Sequence, residues 1–302
     1  MKQNDIYTII LVLKNGKGFS FQDVELIVRH VNGKWKSENK SRIICLWDKA
    51  SEYYDLGNVE LIPLRNEWKG TWSRMTLYNP EMEQYRPFLY VDLDTVIINS
   101  LENIFELVKD TSMFITLEDF WQKGKLATGL VWIPAKSEKV TKIWNEWKKA
   151  GKVGMRRMDY FLRKVVIPDV FWQNLTNTIY DFKPRVGKQL TEIPKDANLI
   201  CFHGKPRIFQ AAKEVNWIKD YIKASFIEKK EVTVIIPYKK DRGWLQDAID
   251  SVPDNVQLIV SQGKGNWPQN FNKVLDQAEG KYIKYLHEDD MLTENCIGDS
   301  VQ

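Results

Sequence analysis

Short apolar runs alternate with segments of helical period from residue 6 to residue 202, and this alternation restricts the fold more than any other feature of the chain. Ile6–Leu13 reads as a strand buried on both faces. Residues 21–31 carry Val24, Ile27, Val28 and Val31 at helix spacing, and 42–47 and 59–64 read as further strands. A helix-compatible stretch over 72–78 leads into the apolar run Phe88–Val91. Beyond it, 101–108 reads as a helix, 112–117 and 129–133 as strands, 137–149 as a helix with Ser137 at its N-cap, and 198–202 as a strand. Strands joined through helices pair in parallel, so the pattern predicts an α/β fold with a mostly parallel sheet covered by helices.

The run Phe88–Val91 stops at Asp92 and Asp94 and resumes as Thr95, Val96, Ile97 and Ile98. Side chains at i and i+2 of an extended chain point the same way, and ligands of parallel α/β sheets bind beyond the carboxyl ends of strands. Two carboxylates this close need a positive partner, and a divalent cation bound by oxygen ligands is the usual one. A generic D-x-D is more often a solvated loop. Here the strands on both sides argue for a site.

Composition narrows the function classes. A hydrophobic content of 43% supports real cores, and a net charge of +4 suits an anionic small ligand but is far from a nucleic-acid-binding signature. Cys45, Cys201 and Cys296 have no metal or redox spacing, and the first two lie in apolar runs, which reads as buried thiols in a reducing compartment. The first apolar stretch is too short to span a bilayer and is followed by Lys14, Asn15, Gly16 and Lys17, so the expectation is a cytoplasmic chain with no transmembrane segment. Trp144 and Trp147 at helical spacing read as core rather than as a sugar platform.

His203 and His287 stand at the ends of apolar strands. An imidazole can complete a metal site begun by two carboxylates, and Lys205 can neutralise phosphate charge. A lone histidine of this kind is more often structural.

Together, the stretch 88–94, the Thr128-Gly129-Leu130-Val131 segment, Asp159, and Cys201-Phe202-His203-Gly204-Lys205-Pro206 resemble the nucleotide-sugar transferases of the glycogenin, or family 8, type, over residues 6–209. The resemblance implies a GT-A fold, which is Rossmann-like, and a metal-dependent glycosyltransferase that moves a sugar from a nucleoside-diphosphate sugar to a glycan, lipid-linked or protein acceptor, with retention of configuration. It implies that Asp92, Asp94 and His203 hold Mn²⁺ or Mg²⁺, with Asp92, Asp94 and Asp159 serving catalysis. Lys205, Gly204 and Arg74 would face the donor diphosphate, and Asp159 and Thr128 the donor sugar. The neighbours of Asp159 are Met158 and Tyr160 where the family has Gly and Gln, and Thr128 stands where asparagine is common, so the sugar pocket departs from the pattern.

After a short charged segment, 225–231, the pattern restarts: 232–237, 257–260 and 282–286 read as strands, and 244–252 and 271–278 as helices. This region resembles the N-terminal half of family 2 glycosyltransferases in Val234-Ile235-Ile236-Pro237-Tyr238 and Glu288-Asp289-Asp290. The expected organisation is a GT-A domain over 1–226 and a partial, family 2-like module over 231–302. In that family the acceptor site and the base lie in the half that follows, so the module is expected to be silent, whether the chain is a fragment or the module a remnant.

Two rival classes exist. Asp92-Leu93-Asp94-Thr95-Val96 also fits the nucleophile strand of haloacid dehalogenase-type phosphatases, with Asp92 attacking phosphorus, but that strand normally opens its domain and leaves His203 to Pro206 without a task. Twelve tryptophans would suit a non-catalytic carbohydrate-binding protein, but most lie in apolar periodic segments.

Overall fold

The computed structural model describes residues 6–14, 18–36, 40–50, 59–66, 68–150, 157–184, 189–226, 232–253 and 256–293. The chain divides into two compact units, Met1–Ser225 and Phe226–Gln302.

In the first unit the strands are β1 (Ile6–Leu13), β2 (Lys40–Trp47), β3 (Val59–Pro63), β4 (Phe88–Val91), β5 (Thr95–Ile97), β6 (Ile115–Glu118), β7 (Leu126–Ile133), β8 (Val170–Phe171), β9 (Ile179–Asp181) and β10 (Leu199–Cys201). The helices are α1 (Phe21–Lys34), α2 (Glu102–Glu106), α3 (Glu138–Ala150), α4 (Met158–Val165), α5 (Trp172–Leu175), α6 (Ile208–Ala211) and α7 (Asn216–Phe226). Seven strands form one sheet in the order β3-β2-β1-β4-β7-β6-β8, with β5, β10 and β9 in a second, small sheet. From β3 to β4 every pairing is parallel, whereas β7 runs antiparallel to both β4 and β6. The result is a mixed α/β fold with a large, mostly parallel sheet.

Alternation along β1 builds the core on both faces. Ile9, Leu11 and Leu13 join Val24, Ile27 and Val31 of α1 on one side, while Ile10 and Val12 join Tyr90, Ile133, Trp147 and Phe161 on the other. A strand covered twice has no polar face, which is why β1 reads as an unbroken apolar run. Ser137 caps α3, its Oγ accepting from Val140 N at 3.4 Å. Trp147 is buried, stacking on Trp72 at 4.9 Å between centroids and meeting Trp68 edge-on, so this pair serves the core as expected.

Several elements differ from the sequence reading. Residues 70–78 form a 3₁₀ rather than an α-helix, since Trp72, Met75 and Tyr78 pack inward every third residue and Pro80 cannot continue an α-helical ladder. The segment 225–231 does not begin as a linker: Ser225 is a buried residue of α7, and 227–231 lie outside the described residues. Helices α4 and α7 and strand β9 had no counterpart in the sequence reading.

The second unit has β11 (Val232–Tyr238) between β12 (Gln257–Gln262) and β13 (Tyr282–Tyr285), all parallel, with helices α8 (Leu245–Asp250) and α9 (Trp267–Asn272). A helix over 271–278 is replaced by α9 and a 3₁₀ turn, Leu275–Gln277, because Asn266 caps the helix earlier, accepting from Gln269 N at 3.1 Å, with Pro268 in the first turn. Among the described residues no helix is long and apolar enough to cross a membrane. Cys45 and Cys201 are buried free thiols, with burial pushing Cys45 up to about 12; Cys296 lies outside the described residues.

Candidate active site

The acid pair sits in a tight turn between β4 and β5. Asp92 N still pairs with Gly129 O at 2.9 Å, Thr95 N closes back on Asp92 O at 3.1 Å, and Phe202 N donates to Asp94 O at 2.8 Å. The turn is thereby pinned to β7 on one side and to the residue before His203 on the other. This places both acids at the carboxyl end of the parallel strands.

Both carboxylate oxygens of Asp92 accept hydrogen bonds. Its Oδ2 accepts from Arg74 Nη1 at 2.5 Å, and its Oδ1 from Tyr90 Oη at 2.9 Å and from Leu93 N at 3.0 Å. Burial opposes the charge on Arg74, and the carboxylates of Asp92 and Asp159, with Tyr90, more than reverse that, holding the guanidinium well above its ordinary pKa. Asp94 has no ion pair among the described residues. Burial, and then the like charge of Asp92, push its carboxyl well above the usual range, with Arg74 and Arg207 pulling it back.

Asp159 lies in the first turn of α4, where the helix N-terminus favours a carboxylate, and it accepts from Thr128 Oγ1 at 2.5 Å. Its charge reaches Arg74, so Arg74, Asp92, Asp159 and Thr128 form one cluster built from four elements.

Residues 203–206 form the opposite wall. Gly204 adopts φ +69°, a left-handed conformation that glycine accepts without strain, and Lys205 is exposed beside it. Lys183 straps this turn, its Nζ donating to His203 O and, at 2.7 Å, to Lys205 O. The His203 Nε2 lies 3.6 Å from Asp181 Oδ1 and is buried with no hydrogen-bond partner. Burial lowers the His203 pKa against the pull of Asp181 and Asp119, which favours the neutral ring. Trp121 Nε1 donates to Asp181 Oδ2 at 3.2 Å and to Lys183 O at 3.0 Å, tying the β6–β7 loop to β9.

Thus Arg74 meets Asp92 and Thr128 meets Asp159 directly, the charge of Asp159 reaches Arg74, Asp94 joins them through its turn, and His203, Gly204 and Lys205 follow the backbone bond from Phe202 to Asp94. Among the described residues, no three His, Cys, Asp or Glu side chains are placed to share one metal ion, so Asp92, Asp94 and His203 do not close into a cage as they stand. The donor chemistry nevertheless fits a hard divalent cation: a carboxylate without an ion pair beside a second carboxylate, and a buried imidazole nitrogen without a partner.

Tyr90, Asp181, Lys183 and Arg207 were missed from sequence. Tyr90 is legible in principle, two residues before Asp92 on the same strand face. Lys183 and Asp181 fall in a stretch without periodicity, so no local signal marks them.

No family model matches the chain, and no curated protein matches it. Among solved structures, the apo bifunctional glycosyltransferase WbbM is 9% identical at a TM-score of 0.52, covering 75% of this chain and 50% of WbbM. The glycosyltransferase GlyE of Streptococcus pneumoniae TIGR4 is 12% identical at 0.48, covering 96% of this chain and 81% of GlyE. The galactosyltransferase LgtC, solved with donor and acceptor sugar analogues, is 14% identical at 0.46, covering 72% of this chain and 95% of LgtC. The likeness to WbbM is one of fold alone, a mixed α/β, GT-A-like architecture with a large, mostly parallel sheet.

Proposed function

We propose that this protein is a nucleotide-sugar-dependent glycosyltransferase, and that the first unit carries the reaction. The observation that supports it most is the joining of the Asp92–Asp94 turn to both the Asp159–Thr128 pair and the 203–206 turn, at the strand ends where this fold class receives ligands.

In this reading Lys205 meets the donor diphosphate from the turn that Lys183 holds in place. Arg74 holds Asp92 in place through their ion pair, and Asp159, oriented by Thr128, faces the donor sugar. A divalent cation, Mn²⁺ or Mg²⁺, would be held by Asp92, Asp94 and His203, and when bound would offset the charge on the leaving diphosphate. The donor sugar, with retention at its anomeric carbon, and a glycan, lipid-linked or protein acceptor belong to the same proposal. We read the second unit as a partial family 2-like module without turnover.

The phosphatase alternative fits less well, since β1, α1, β2 and β3 precede β4, whereas the nucleophile strand of that class opens its domain, and β4 has an antiparallel neighbour. The deciding experiment is Mn²⁺-dependent hydrolysis of a set of nucleotide sugars, with and without chelator, beside hydrolysis of an aryl phosphate. Slow release of nucleoside diphosphate that the chelator stops supports the transferase. Aryl phosphate turnover without nucleotide-sugar turnover would refute it.

A further inference from the structure

Arg207, the residue after the 203–206 turn, has a charge with no partner of opposite sign among the described residues. Its backbone N is fixed at the start of α6 by Gln210 Oε1 at 3.1 Å, and its guanidinium lies over the Phe19 ring at 3.6 Å from the centroid. Nη1 is buried and makes no hydrogen bond. Nη2 occupies the space a side chain at position 18 would take, 2.9 Å from the Cβ that Gly18 lacks. The charge of Arg207 acts on two carboxyl groups, Asp94 of the acid turn and Asp23 of α1, without forming an ion pair with either. Asp23 is instead occupied by Ser20, whose N and Oγ donate to it at 2.7 and 3.1 Å.

Arg207 is held by Phe19, given room by Gly18, and left with an unsatisfied donor. A buried N–H without an acceptor is costly, and a guanidinium presents a planar fork of donors that matches phosphate oxygens. We propose that Arg207 is a phosphate-binding residue of the donor site, engaging the nucleotide-sugar diphosphate together with Lys205. The inference rests on the transferase reading and adds to it a residue between the β1–α1 loop and the acid turn.

The test is calorimetric titration of the full chain, in Mn²⁺, with UDP, GDP, ADP and CDP, with the corresponding nucleosides and with inorganic pyrophosphate. Arg207→Met keeps the stem on Phe19 and removes the charge, and should weaken binding of the preferred nucleoside diphosphate and of pyrophosphate by roughly 10- to 100-fold, with nucleoside binding unchanged. Arg207→Lys should lose less. Gly18→Ala, which displaces the guanidinium without removing it, should lose affinity in the same direction. Unchanged diphosphate affinity in a folded Arg207→Met protein overturns the inference, as does an equal loss for diphosphate and nucleoside. Should Arg207→Met fail to fold, unchanged affinity in both Arg207→Lys and Gly18→Ala overturns it. Wild-type protein that binds none of the diphosphates overturns the transferase reading itself.

Discussion

Asp92 and Asp94 are one residue apart yet sit in opposite electrostatic situations, and substitutions should separate them. Asp92→Asn leaves the buried Arg74 without its partner, and breaking a buried pair of this kind costs roughly 3 kcal/mol. Asp94→Asn removes a carboxylate that has no ion pair among the described residues and a like charge beside it, so it should leave stability unchanged or raise it. Both variants should lose Mn²⁺-dependent transfer. Urea unfolding at pH 7 beside an activity assay checks this, and equal destabilisation by the two changes would show that Arg74 does not discriminate between them. Lys205 is exposed and its side chain has no partner among the described residues, so Lys205→Ala should weaken nucleoside-diphosphate binding by about tenfold while stability stays within about 0.5 kcal/mol of wild type. A loss of stability without a loss of affinity would assign Lys205 to the turn rather than to the ligand.

Helices α1 and α7, far apart in sequence, are joined by a buried contact. The His30 ring lies parallel to Tyr221 at 3.7 Å between centroids, and its Nε2 meets the Ser225 hydroxyl. Burial first, and then Lys34 on the same helix, push His30 down to about 4 from its ordinary 6.5. The unfolded chain takes up this proton near pH 6.5 and the folded chain does so only near pH 4. The unfolded state therefore binds more protons in that window, and stability falls as pH drops through it, by at most about 3 kcal/mol. His30→Phe, which keeps the stack and cannot be protonated, should lose less stability than wild type between pH 7 and pH 4.5. Identical losses in chemical denaturation would place the acid sensitivity elsewhere. The α9 boundary illustrates a signal that was present and outweighed: Asn266, Pro268 and Gln269 form a complete helix start, but the apolar spacing from Phe271 drew the helix four residues too late.

At the scale of the whole molecule, the acid turn, Asp159 and the 203–207 segment all belong to Met1–Ser225, with its two-sided core around β1. A chain ended at Lys229 should therefore fold and keep whatever sugar-transfer activity the full chain has, and full-length protein carrying Asp289→Asn and Asp290→Asn should match wild type. A folded but inactive truncation, or an inactive double variant, would move the chemistry to the second unit. The strands of both units except β8 and β9, the long helices α1 and α3 and the position of the acid turn were legible in the sequence, because a strand or helix covered by its neighbours imposes its period on the residues whichever neighbours those are. Which side chains meet was not. Arg74 reaches Asp92 across 18 residues, Trp121 reaches Asp181 across 60, and His30 reaches Ser225 across 195. Such pairs depend on strand order and on where each crossover lands, so only the tertiary structure decided that Asp92 is committed to Arg74, that Asp94 is left without an ion pair among the described residues, and that Arg207 has an unused donor.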